Sequence, residues 1–336
     1  MKKEITPVGY QLPPLDLLDE YIPEDKVSEG KVANGRRAVV PMRLALGDDA
    51  FRNCDAELPV AIGRPFGNKV KVFDLAKAPN LLIAGATRQG KTVAINAIVA
   101  SLLYSKRLSD LKFVFIDPKG FEYSSYDRIK DSYLAMVPGE VPVVKTTNQA
   151  EKVLTSLCGE MERRYELLRN TASTDLLAYN SSASESLPYI VTIIDEYADL
   201  AIPVRRDNVS RNMSHNITES IISLAQKGSA VGIYIILATQ RPSKKVITDS
   251  IKANFPTRIA VRTVTRADSR AILDSPGAEN LAGGGDMIFE VGIETERIQG
   301  SYISPEEIDR LTSYVESNAA SCTPYYLPAP DLDQES

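Results

Sequence analysis

Tryptophan is absent from the chain of 336 residues, histidine occurs once and cysteine three times. A lone histidine, His215 in a polar stretch, gives no basis for a catalytic triad or a histidine-rich metal centre. Cys54, Cys158 and Cys322 are too far apart for zinc-site spacing or a disulfide framework and read as packing residues in a reducing compartment. Long apolar runs are also missing. Tyr189–Ile194 and Gly232–Ala238 have strand length, well short of the roughly 20 residues that cross a bilayer. Met1-Lys2-Lys3-Glu4 leads into no apolar segment, so neither a signal peptide nor a membrane segment is expected, and a cytoplasmic setting is. No internal repeat is visible.

What is present suits a soluble globular chain. Hydrophobic residues make up 43%, enough for a sizeable core, and the length suggests about two domains or one large domain with an appendage. The net charge of −5 argues weakly against a polyanionic partner. Its distribution argues the other way: Arg205 to Arg270 holds twelve Lys/Arg against four Asp/Glu. A local basic surface suffices for polyanion contact, and a solvated basic face is the alternative on charge alone.

Read in order, residues 1–38 form a Pro- and acid-rich arm, with Leu15, Leu17, Leu18, Tyr21 and Ile22 available for docking and a turn-rich linker over Lys26–Arg37. Residues 39–80 read as a small β-rich lead-in: strands at Leu58–Gly63 and Lys69–Phe73 flank a turn at Arg64–Asn68. From 81 to 305 strands and helices alternate, which predicts an α/β fold with a mostly parallel sheet flanked by helices. The expected strands are Leu81–Ala84, Lys112–Ile116, Tyr189–Ile194, Gly232–Ala238 and Arg258–Arg262, with a terminal hairpin of Met287–Val291 and Glu296–Ile303. Helices are expected over Thr92–Tyr104, Ala150–Arg169 and Ile217–Lys227. Asn170–Leu187 reads as a loop, and Arg205–Asn216 as a loop or the start of a helix. A helix and a loose tail fill 306–336.

Gly85-Ala86-Thr87-Arg88-Gln89-Gly90-Lys91-Thr92 has the form G-x-x-x-x-G-K-[ST] between an expected strand and helix. That is the context a phosphate-binding loop needs. Its glycines let backbone N–H groups turn toward phosphate oxygens, and the helix N-terminus adds attraction. Lys91 would reach the β- and γ-phosphates of ATP, and the Thr92 hydroxyl would hold Mg²⁺. About 100 residues on, the apolar Tyr189–Ile194 ends in Asp195-Glu196. Asp195 would serve Mg²⁺ through water, and Glu196 would orient and deprotonate the attacking water. Two further strands end in polar residues. Gln240 either senses the γ-phosphate or satisfies strand-end backbone. Asp117 either supports the metal and water or forms the turn before Pro118.

Longer motifs carry a resemblance. Lys112-Phe-Val-Phe-Ile-Asp-Pro-Lys119, Leu187-Pro-Tyr-Ile-Val-Thr-Ile-Ile-Asp-Glu-Tyr-Ala-Asp-Leu200, Ile236-Leu-Ala-Thr-Gln-Arg-Pro242, Ile251-Lys-Ala-Asn-Phe-Pro-Thr-Arg258, Asp268-Ser-Arg-Ala-Ile-Leu-Asp274 and Gly285-Asp-Met287 resemble the FtsK/SpoIIIE family of DNA translocases. The resemblance runs from about Val39 to Ile303. It implies a RecA-like P-loop ATPase that assembles as a homo-hexameric ring and pumps double-stranded DNA. It also implies DNA-backbone contacts at Arg241, Lys244, Lys245 and Lys252, with a plain surface role equally open for Lys244 and Lys245. Departures are expected as well. Only some forty residues occupy the place of a larger α module, and no membrane or winged-helix region is evident. Ser229 stands where the family often has an arginine that reaches a neighbour's nucleotide. Arg266 and Arg270 would supply that charge instead. The alternatives are a related ring ATPase for protein or nucleoprotein cargo, and a scaffold that no longer hydrolyses.

Overall fold

The computed structural model describes residues 10–20, 39–65, 69–203, 205, 207–319 and 322–330. The linker expected over Lys26–Arg37, the tip of the Arg64–Asn68 turn and the last six residues lie outside them. In chain order the elements are β1 (Val40–Pro41), α1 (Met42–Gly47), α2 (Asp49–Arg52), β2 (Pro59–Pro65), β3 (Lys71–Asp74), β4 (Leu81–Ala84), α3 (Lys91–Ser105) and β5 (Leu111–Ile116). Then come β6 (Ala135–Met136), β7 (Val143–Val144), α4 (Thr147–Asn170), α5 (Leu176–Ser182), β8 (Tyr189–Ile194), α6 (Tyr197–Ala201), α7 (Asn208–Lys227) and β9 (Ile233–Thr239). The chain finishes with α8 (Asp249–Asn254), β10 (Thr257–Val261), α9 (Arg266–Leu273), β11 (Asp286–Val291), β12 (Glu294–Tyr302), α10 (Pro305–Asn318) and β13 (Tyr325–Tyr326). Among the described residues no helix is long and apolar enough to cross a membrane.

The chain forms two compact units. One comprises Arg107–Leu237 with Val315 onward, and the other Leu12–Lys106 with Ala238–Tyr314. In the first, β7, β5, β8 and the body of β9 pair in that order, all parallel. β5 and β8 are buried along their whole length, so both read as continuous apolar runs rather than alternating ones. Helix α4 opens with a capping box in which Thr146 accepts from the Gln149 N–H. It packs against α7.

In the second unit β4 and β10 pair in parallel. Beyond β10 the order is β11, β12, β2, β3, every pair antiparallel. The terminal hairpin expected from sequence is therefore present as β11–β12. The buried face of α3 packs on β2. Ser101 within it accepts the Ala61 N–H at 3.1 Å and donates to the Ala97 carbonyl, so its hydroxyl is satisfied at zero exposure.

Three local expectations need correction, and one open alternative is decided. Within Val39–Phe73 the two strands are preceded by helices α1 and α2, whose buried Met42, Ala45, Leu46 and Phe51 carry a helical spacing. The loop expected over Asn170–Leu187 contains α5, started by Asp175 accepting the Ala178 N–H at 2.8 Å. Of the two alternatives for the polar Arg205–Asn216, Asn208–Asn216 takes the helical one, because Asp207 caps α7 well before the apolar spacing begins. The tail after Pro324 is not loose there: Tyr325 and Tyr326 pair in parallel with Ala135 and Met136.

Candidate functional site

The phosphate-loop motif lies entirely in the second unit. β4 delivers it: the Gly85 N–H donates to the Thr239 carbonyl at 3.4 Å and the Ala86 N–H to the Arg262 carbonyl at 2.9 Å. The loop then turns through left-handed backbone at Arg88 (φ +61°) and Gly90 (φ +111°). Gly90 is the N-cap of α3, and no side chain caps that end. The first-turn N–H groups and the positive end of a 15-residue helix are thus left to a ligand. Lys91 is 3% exposed and Thr92 half-buried in the same turn.

The Ala282–Asp286 turn, expected only as a strand connection, is the wall behind this loop. The Gly285 N–H donates to the Gln89 carbonyl at 3.3 Å. A Cβ on Gly283 would meet only the movable end of Gln89, so it is the left-handed backbone (φ +81°) that disfavours a side chain there. Asp286 pins the turn, accepting the Ala282 N–H and a two-pronged Arg297 at 3.0 and 2.6 Å.

Gln240 reaches the phosphate loop directly: Thr87 Oγ1 donates to Gln240 Oε1 at 2.9 Å. Its neighbour Arg241 is exposed, its N–H held by Thr239 Oγ1 at 3.0 Å. A cleft of about 580 Å³ lies here, lined by Thr87, Gln89, Gln240, Arg241, Val264 and Asp268 among others. Lys244 and Lys245 are exposed a few residues on, within a turn closed by the Val246 and Ile247 N–H groups on the Ser243 carbonyl. Lys252 differs from these three. It is paired with Asp274, which Arg258 also contacts at 2.9 Å. Arg266 and Arg270 stand one turn apart on the exposed face of α9, with Arg266 3.3 Å from Glu279.

The acidic pair belongs to the first unit. Asp195 and Glu196 follow β8 and are 0% and 1% exposed. Two partners that the sequence reading did not single out hold them. Lys119 Nζ lies 3.2 Å from Glu196 Oε2, and the Tyr123 hydroxyl donates to Asp195 Oδ1 at 3.1 Å. Asp117 takes the turn-forming alternative. Its buried carboxylate accepts the N–H groups of Lys119, Gly120 and Glu122 at 3.1, 3.0 and 2.9 Å. Ser229 sits in the single helical turn Gly228–Val231.

Each unit offers one hard oxygen donor of the kind Mg²⁺ takes. Thr92 and Asp195 offer hard oxygen ligands, and among the described residues no group of three or more His, Cys, Asp or Glu could hold a metal. Mg²⁺ is commonly bound through one or two protein oxygens together with substrate phosphates rather than in a protein cage.

A strand–loop–helix phosphate cradle, mostly parallel strands flanked by helices, and an acidic pair at a strand end define a P-loop ATPase. The model of the FtsK/SpoIIIE family matches residues 42–244. The chain is 43% identical over 296 residues to the DNA translocase FtsK of Chlorobaculum tepidum, covering 87% of this chain and 36% of that protein. It is 42% identical over 294 residues to the DNA translocase SftA of Bacillus subtilis, covering 85% and 29%. The pCW3 conjugation coupling protein TcpA, solved with ATPγS, superposes with a TM-score of 0.71 at 27% identity, covering 85% of this chain and 75% of that one. The chain therefore belongs to the FtsK/SpoIIIE family, and it spans about a third of the length of these two curated relatives.

Proposed function

We propose that this chain is the motor portion of an ATP-driven double-stranded DNA translocase that works as a ring of six copies. The observation that carries the proposal is the contact between Thr87 in the phosphate loop and Gln240, one residue from the exposed Arg241. One short segment thus touches the nucleotide loop at one end and offers cations at the other. The family relationship and the relatives' names support the same reading.

In this reading the backbone of Gly85–Thr92 and the Lys91 ammonium bind the phosphates of ATP. Glu196, kept in place by Lys119, accepts a proton from the water that attacks the γ-phosphorus as the bond to the ADP oxygen breaks. Mg²⁺, held through Thr92 and Asp195, would neutralise charge on the phosphate oxygens when bound. Gln240 relays loss of the γ-phosphate to Arg241. Arg266 and Arg270 supply positive charge to a neighbouring copy's nucleotide in place of Ser229. Arg241, Lys244 and Lys245 hold DNA phosphates without regard to sequence, with Lys252 a weaker candidate because of Asp274.

The test is ATP turnover with and without linear duplex DNA, alongside particle size on adding ATPγS. DNA is expected to raise turnover several-fold, and the nucleotide to assemble rings of six. Lys91→Ala should abolish turnover. Glu196→Gln should bind ATP yet hydrolyse it about 100-fold or more slowly. Turnover indifferent to DNA would favour protein or nucleoprotein cargo instead.

A further inference from the structure

We infer that Tyr123 is a positioning residue for the metal-facing carboxylate: its hydroxyl fixes one oxygen of Asp195 and thereby sets where the other is aimed. The inference rests on the reading of Asp195 as the carboxylate that serves Mg²⁺. It adds a residue with no part in the phosphate-loop or acidic-pair motifs.

The argument begins with how tightly Tyr123 is placed. Asp117 closes the turn after β5 by accepting three backbone donors, on Lys119, Gly120 and Glu122. The backbone entering Tyr123 is therefore fixed. The ring is fixed as well. It stacks on Phe115 of β5 at 5.3 Å and 26°, beside Tyr126, which stacks on the same ring at 4.6 Å. Tyr123 is fully buried. A hydroxyl on such a ring has almost no rotational freedom except its own proton.

Asp195 is fixed only in part by its main chain, whose N–H donates to the Ile116 carbonyl at 3.0 Å. That bond places Cα and leaves the side-chain torsions open. A donor on Oδ1 narrows those torsions and so restricts the direction in which Oδ2 is aimed. A phenol beside a carboxylate is the donor of the pair, so the bond fixes Oδ1 as the acceptor. Groups that orient metal-facing ligands commonly matter about 10- to 100-fold in metal affinity.

The experiment is an equilibrium titration of Mg²⁺ against binding of a fluorescent ATP analogue, with no turnover needed. In Tyr123→Phe the half-saturating Mg²⁺ is expected to rise about 10-fold, while affinity for the analogue in EDTA stays within about 2-fold of the parent protein. Turnover should recover as Mg²⁺ is raised, which a general loss of structure would not allow. Phe115→Leu removes the stacking platform, keeps the hydroxyl and is the second variant if Tyr123→Phe does not fold. It is expected to shift the Mg²⁺ titration the same way. Unchanged Mg²⁺ half-saturation in the folded variants overturns the inference and leaves the ATPase reading standing. If the parent protein binds the analogue with no Mg²⁺ dependence, the reading of Asp195 falls, and this inference with it.

Discussion

Glu196 is a carboxylate with 1% exposure, and a charge taken out of water to that extent needs a partner. Lys119 provides it from 77 residues away in sequence. Lys119→Met is therefore expected to lower ATP turnover about 10- to 100-fold through loss of the base's orientation. Affinity for ATP should stay near the parent value, and Lys119→Arg should restore most of the rate; steady-state kinetics with separate kcat and KM decide this. The identities of Lys91, Thr92, Asp195 and Glu196 were legible in sequence because each sits at a fixed place in a short local motif. Lys119 and Tyr123 were not. Their relation to the acidic pair exists only once β5 and β8 lie side by side. Asp117 was legible as one of two alternatives, and its three backbone partners decide between them.

Elements were readable where burial is continuous or periodic, as in β5, β8, β9 and α4. One was missed where a cap rather than an apolar pattern starts it, as in α5, and the first turns of α7 were left between two alternatives for the same reason. The parallel pairing of β13 was also hidden, since two residues carry no period. What ties that end down is Glu160 of α4, which is 2% exposed. It accepts from Arg163, from the fully buried Arg164 and from the Tyr325 hydroxyl at 2.8, 2.8 and 3.0 Å. Burial alone would raise its pKa, but the Arg163 and Arg164 bonds outweigh burial and hold it below the ordinary 4.5. A depressed carboxylate contributes stability that is present above its unfolded pKa and lost as pH falls through the folded one. The melting temperature should accordingly drop as pH falls below about 4.5. Glu160→Gln should destabilise the protein at neutral pH by roughly 3–5 kcal/mol, since it strands Arg164, and should flatten the acid response. The turn behind the phosphate loop makes a second element-scale prediction. Gly283→Ala should lower ATP affinity measurably and reduce stability by about 1 kcal/mol or more, read by nucleotide titration and thermal melting.

For the molecule as a whole, a net charge of −5 coexists with the basic Arg205–Arg270 segment. Duplex DNA binding in this reading depends on a few exposed cations rather than on bulk charge. Replacing Lys244 and Lys245 by alanine should weaken DNA binding alike for all sequences. It should also lower the slope of log affinity against log salt by roughly one per lysine. Fluorescence anisotropy at several salt concentrations measures both. An unchanged slope would assign the two lysines to ordinary surface.

Gln240 and Arg241 are successive residues, their Cα atoms about 3.8 Å apart, in a backbone braced by Thr239 on one side and the Ser243 turn on the other. So short and stiff a linkage has no mechanical advantage. A displacement of the Gln240 backbone reaches the Arg241 backbone at close to its original size, without magnification. Travel along a duplex by such a device would accumulate from many ångström-scale pulls handed from copy to copy, rather than from one long swing of an arm.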